Sequence, residues 1–264
     1  EQKTEPGTYT DELVPRNAVI LDANGRDVTS GYALTADSYV AGNLIINKKG
    51  NPDPENPDKD LPLKVTASDQ SYIYNGQPQG RFGQNLAVGQ PNPLATALEL
   101  LPGHRLANIT LVGEAKTDAG EYANAIAPLQ AKIVNAAGQD VTDKYLIDDA
   151  TSYIPGKLTI QKKGNGKPDG NGGEEPMTIT AGAQSYVYNG KPQGQFGQDL
   201  PVGTEAPLAT ASERVSGHRL ANSTLNGTQR TDPATYTDAI RPAQARIVDG
   251  TGRDETENYN ITPG

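Results

Sequence analysis

The chain repeats itself, and that repetition limits what it can fold into more than any other feature. Residues from Pro62 onward match residues from Pro176 onward at a constant shift of 114. Ser71-Tyr72-Ile73-Tyr74-Asn75-Gly76 returns as Ser185-Tyr186-Val187-Tyr188-Asn189-Gly190, and Gly103-His104-Arg105-Leu106-Ala107-Asn108 returns as Gly217-His218-Arg219-Leu220-Ala221-Asn222. Over Pro62–Ile147 more than half of the positions are identical, without a gap. A third, partial copy stands at the front. Asn24-Gly25-Arg26-Asp27-Val28-Thr29 matches Ala137–Thr142, and after one inserted residue Gly42-Asn43-Leu44-Ile45-Ile46 matches Gly156–Ile160. Self-similarity at such a period means tandem modules of one fold.

The copies divide the chain into residues 1–49, the back half of a module; 50–60, a linker; 61–163, a complete module; 164–175, a second linker; and 176–264, a module lacking its last strand. Gly50–Asp60 and Gly164–Glu175 are rich in Pro, Gly, Asp, Asn and Glu and carry no aliphatic or aromatic side chain for a core. They read as extended linkers with little interface between modules, spanning at most about 36–40 Å each. Residues 1–49, half a module, are expected to be ordered only through another chain or through residues that precede them.

Within a module the apolar period is two. Lys64–Ala67, Tyr72–Tyr74, Ala131–Val134 and Lys157–Ile160 read as short strands, separated by turn signals at Asn75-Gly76, Pro102-Gly103, Ala137-Gly138 and Pro155-Gly156. Only Ala95–Leu101 looks helical. The expected fold class is all-β, in tandem small β-sandwich modules of immunoglobulin-like type, with a β-grasp containing one short helix as the alternative.

The balance of charge is acidic, with a formal net charge of −9. That argues against nucleic acid, which needs clustered Lys and Arg. The longest apolar runs are far too short to insert into a membrane. There is no cysteine, so disulfides, thiolate metal sites and Cys nucleophiles are absent together.

The order Tyr-x-Tyr-Asn-Gly-x-Pro-Gln-Gly, Gly-His-x-Leu, Thr-Asp-x-x-x-Tyr, Gly-x-Asp-Val-Thr-x-x-Tyr, Pro-Gly-x-Leu-Thr-Ile resembles the MBG and YDG repeats of large surface adhesins of Gram-positive bacteria. The resemblance covers all three copies. It implies a non-enzymatic extracellular stalk on the bacterial cell surface, without catalytic residues or cofactors. One departure stands out: the last copy has Asp254-Glu255-Thr256 in place of Asp-Val-Thr. No Leu-Pro-x-Thr-Gly anchoring signal occurs.

Two other functions compete: an adhesive module for a glycan or host protein, and a subunit of an extracellular filament. The candidate ligand contacts are His104, Arg105 and Asn108, their repeats His218, Arg219 and Asn222, and the pairs Tyr72/Tyr74 and Tyr186/Tyr188. Tyrosines two apart share a strand face, where they complete a core or a semi-exposed rim, stack on sugar rings, or form a contact between modules. A single His per module lacks the convergent partners of a metal site or a triad, so it reads as a turn cap. Asp22–Asp27 imitates the start of a calcium loop, but position twelve is Ala33 rather than Glu, so a hairpin turn is expected. No core-strand lysine recurs between copies, so an intramolecular Lys–Asn isopeptide is not expected either. Self-association by strand addition, with Gly42–Ile46 of one molecule entering the next, completes the partner expectations.

Overall fold

The structure, a computed structural model, describes residues 2–262; the Pro263-Gly264 end of the last copy lies outside them. The protein is all-β: among the described residues 40% lie in strands and no helix has seven or more residues. The segment with helical character, Ala95–Leu101, instead begins with a strand at Ala95–Ala97. It lies beside Val65–Ala67, which pairs in parallel with Tyr153–Ile154 on its other edge. Seven residues cannot sustain an isolated helix, and a neighbouring strand offers their backbone groups partners.

The chain forms two compact units, and these do not follow the repeat boundaries. One comprises Glu1–Thr66, Asn85–Ile109 and Pro128–Ile154; the other comprises Ala67–Gln84, Thr110–Ala127 and Pro155–Gly264. Each unit joins part of the complete repeat to the repeat beside it.

In the first unit, Gly7–Leu13 pairs antiparallel with Gly42–Ile46. Among residues 2–49 none is buried, and Val14, Val19, Val40 and Ile45 are each more than half exposed. This half-copy therefore has no core of its own. It is joined to the complete repeat, where Lys49 N–H donates to the Lys144 carbonyl (3.0 Å), Leu146 N–H donates to the Lys49 carbonyl (2.8 Å), and Glu5 is ion-paired with Lys144. The expectation that only another chain or preceding residues would order it is corrected here, since the following repeat supplies the contacts. The core of this unit is Leu63, Val65, Ile133 and Tyr145, all 0–2% exposed.

The second unit holds its counterpart, with Met177, Ile247 and Tyr259 in the places of Leu63, Ile133 and Tyr145 and at most 3% exposed. Arg219–Asn226 forms the middle of a sheet between Gly197–Pro201 and Arg241–Val248. In the same unit Gly156–Gln161 lies between two strands of its own repeat. It pairs antiparallel with Gly120–Ile126 and parallel with Gln70–Ile73, and its inward Leu158 and Ile160 are 0% and 1% exposed.

The two expected linkers are not extended. Asn51–Pro52 pairs antiparallel with Asp60–Leu61, and Pro168 bridges Glu174. Both segments are hairpins stapled by polar groups rather than by apolar contact. In the second, Lys163 Nζ donates to Glu174 Oε2 (2.8 Å), and the Gly164 and Gly166 amides donate to the same oxygen (2.8 and 3.1 Å). In the first, Lys49 Nζ and the Gly50 amide donate to Asp60 Oδ2 at 3.0 and 2.7 Å.

Candidate functional site

The recurring motif residues are used by the fold. In the first unit His104 Nδ1 lies 2.8 Å from the hydroxyl of buried Tyr145, which also accepts the Leu101 amide (3.1 Å). In the second unit His218 repeats this on Tyr259 (2.9 Å), which accepts the Val215 amide (3.2 Å). Each histidine thus sits half-buried as the partner of a core tyrosine hydroxyl, which a buried Tyr needs. Asn108 and Asn222 donate through Nδ2 to the carbonyls of Asn85 (3.1 Å) and Asp199 (3.0 Å). Those acceptors have φ of 48° and 49°, so each amide pins a strained point of the neighbouring strand. Arg105 and Arg219 open their strands, exposed to solvent.

The other motifs resolve in the same way. In Thr-Asp-x-x-x-Tyr, the Tyr122 and Tyr236 hydroxyls donate to the carbonyls of Asp118 (2.8 Å) and Asp232 (2.9 Å). Lys116 and Arg230 lie over the two rings, 5.7 and 5.1 Å from their centroids. In Asp-Val-Thr, Thr142 Oγ1 accepts the Ile133 amide (2.9 Å) while Asp140 accepts the Thr142 amide (3.0 Å). The calcium-like segment is a turn: Asp22 Oδ1 accepts the amides of Asn24 and Arg26, with Gly25 at φ 78°.

The tyrosine pairs have two fates. Tyr72 donates to Gln70 Oε1 (3.0 Å), and Tyr74 is 2% exposed. Their repeats Tyr186 and Tyr188 are 46% and 61% exposed.

Tyr74 is the hub of a joint between consecutive repeats inside the second unit. Its ring meets those of His218 and Tyr259 edge-on, with centroids 6.1 and 5.8 Å away. Its hydroxyl donates to Glu255 Oε2 (2.9 Å), which also accepts Asn258 Nδ2 (2.7 Å). Arg253 Nε lies 3.3 Å from Glu255 Oε1, and Asn258 Oδ1 accepts the Ala119 amide (2.7 Å). Burial, then the bond to the Glu255 carboxylate, raises the ionisation of the Tyr74 hydroxyl well above its usual range. Burial raises the Tyr259 hydroxyl as well. Gly76, at φ 75° in the Asn75-Gly76 turn, rests against this joint: a Cβ there would stand 3.1 Å from Val215 Cγ1 and 3.6 Å from His218 Nε2.

Glu255 is the departure that the last copy makes from Asp-Val-Thr, and it is 5% exposed where the complete repeat buries Val141. Sequence reasoning noticed the exchange without seeing its partner, because the carboxylate answers a tyrosine 181 residues away. It also missed the hairpin staples. Their signal was in view, since Lys49-Gly50 with an acid at Asp60 recurs as Lys163-Gly164 with an acid at Glu174.

Among the described residues no cluster of His, Cys, Asp or Glu could hold a metal ion, and no helix is long and apolar enough to cross a membrane. No protein-family model, no curated protein and no solved structure matches the chain.

Proposed function

We propose that the chain is a stretch of non-enzymatic spacer repeats, small β-sandwich modules of immunoglobulin-like type, from an extracellular stalk of a bacterial surface adhesin. The observation that carries this reading is the joint at Tyr74. Tyr74 of the complete repeat bonds Glu255 of the last, the one buried carboxylate among the described residues, while His218 and Asn258 satisfy Tyr259 and Glu255 within the last repeat. A hairpin stapled by Lys163 and Glu174 reinforces the same junction. Such joints suit an array whose length grows with repeat number, and the resemblance to adhesin repeats points the same way.

Small-angle X-ray scattering on chains with increasing numbers of the complete repeat tests this. The maximum dimension is expected to rise by a constant increment per repeat; a dimension that levels off would sink the spacer reading. Saturable binding to a glycan array or to host matrix proteins, lost on substituting Tyr186 and Tyr188, would favour the adhesive module instead.

A further inference from the structure

The complete repeat is entered and left by strands that lie side by side and point the same way. In the first unit Val65 and Thr66 pair in parallel with Tyr153 and Ile154. In the second unit Gln70–Ile73 pairs in parallel with residues 158–161. Both pairings keep one offset, 88 residues, and the Lys157 amide donates to Asp69 Oδ1 (2.7 Å) at that same offset. Two more main-chain bonds follow it: the Val65 amide donates to the Ser152 carbonyl and the Tyr74 amide to the Gln161 carbonyl, each at 2.8 Å.

Parallel partners need a long crossover between them, and here the crossover is most of the repeat. The consequence is mechanical. Tension arriving from the Pro62 side draws residues 65–73 toward their N-terminal end, and tension leaving at Lys163 draws residues 153–161 toward their C-terminal end. In parallel strands those two directions oppose each other along one axis, so the rungs are loaded in shear and share the force. An antiparallel pair in the same place would be peeled open one rung at a time. Sliding would also drag Val65, Leu158 and Ile160, all 0–1% exposed, out of apolar surroundings.

The entry recurs in the last copy. The Leu63 amide donates to the Leu146 carbonyl (2.8 Å), and its repeat Met177 donates to the Asn260 carbonyl (2.6 Å) and bridges Ile261 in parallel. Ahead of each entry a lysine, Lys49 or Lys163, bridges Tyr145 or Tyr259 in the same parallel sense.

We propose that the parallel pairing of entry and exit strands is a force-bearing latch, which makes the complete repeat resist extension as a unit and yield only when the pair slides. It rests on the spacer reading for one thing, that tension runs along the chain from repeat to repeat.

The full chain lacks cysteine, so introduced thiol pairs decide where single-molecule force is applied. Glu55→Cys with Asn171→Cys, in the two flanking hairpins, pulls the complete repeat along the chain. Gln77→Cys with Lys162→Cys pulls at the C-terminal ends of the same two strands and peels them apart. All four positions are exposed, and urea unfolding is expected to be the same for both pairs. Forced unfolding is governed by the unfolding rate rather than by equilibrium stability, so the along-chain pull is expected to break at about twice the force of the peeling pull or more. It is expected to do so in one step releasing roughly 300 Å, the extended length of the repeat. Equal rupture forces, or release in several short steps, would overturn the latch, and a scattering dimension that still grows by a constant increment would then leave the spacer reading standing. A dimension that levels off while the two forces differ would do the reverse.

Discussion

Tyr74 and Glu255 show how one exchange couples two copies of a repeat. Where the complete copy buries Val141, the last copy buries a carboxylate, and a buried charge is tolerated only with partners. Tyr74, Asn258 and Arg253 provide them. Tyr74→Phe is therefore expected to destabilise the chain by about 1.5–3 kcal/mol, the range for hydrogen bonds to a charged group. Glu255→Val, which restores the residue of the other copies, leaves the tyrosine hydroxyl unpaired. The double variant is expected to lose less than the sum of the two, with a coupling of roughly 1–2 kcal/mol in urea unfolding; additive losses would show that the bond contributes nothing. The same residues set the alkaline limit. Tyr74 and Tyr259 have folded-state values raised above the usual tyrosine value of about 10. Their contribution is complete below that value and is lost as pH climbs through the folded ones. Tyrosinate absorbance is expected to show a late class of tyrosines that ionise together with unfolding, and that shrinks in Tyr74→Phe.

The hairpins at 50–60 and 164–175 are elements built by side-chain oxygens, since they have no apolar face. Burial would raise the Glu174 carboxyl, but Lys163 and the amides of Gly164 and Gly166 outweigh it and hold it below the usual range. The Gly50 amide and Lys49 do the same for Asp60. A depressed carboxylate stabilises the fold above its unfolded value, about 4.3 for Glu, and that contribution is lost as pH falls through the folded value. Glu174→Gln is thus expected to lower stability by about 1–3 kcal/mol at neutral pH. Thermal melts down to pH 3 check the sign, because the gap between variant and parent should close with acid. A gap that widens would mean that the carboxylate does not act through its charge.

Compact units that cross repeat boundaries carry a consequence for any fragment. The complete repeat, Pro62–Lys163, is expected from its alternation to fold alone as a monomeric all-β domain, although its residues are divided between the two units. Cut out of the chain it loses the cover that His218, Tyr259 and Glu255 give Tyr74. Exposing that ring is expected to cost the fragment about 1.5–3 kcal/mol relative to the same residues in the full chain. Urea unfolding followed at the Tyr74 amide by hydrogen exchange compares the two directly. Equal protection would mean that the neighbouring repeat adds nothing to it. The half-copy at residues 2–49, with no buried residue, is expected to lose its exchange protection entirely when separated from residues 60–154.

Repetition, alternation with period two and turn signals at Asn-Gly and Pro-Gly are local or translational properties, so the all-β class, the copies and the strands around Lys64–Ala67, Tyr72–Tyr74, Ala131–Val134 and Lys157–Ile160 could be read from the chain alone. The turn at Asp22–Asp27 was legible for the same reason, because its bonds close within four residues. The fate of a given motif was not. Tyr72-Ile73-Tyr74 and Tyr186-Val187-Tyr188 are nearly one sequence, yet the first is a strand with a buried ring and the second lines an open groove. Tyr74 owes its cover to His218, Tyr259 and Glu255 of the following repeat. For His104 and His218, read from the sequence as turn caps, and for the candidate contacts Asn108 and Asn222, the fold supplied the actual partners, core tyrosine hydroxyls and strained carbonyls. Pairing across 20 to 180 residues depends on which backbone and side-chain groups meet in space, and no periodicity records that.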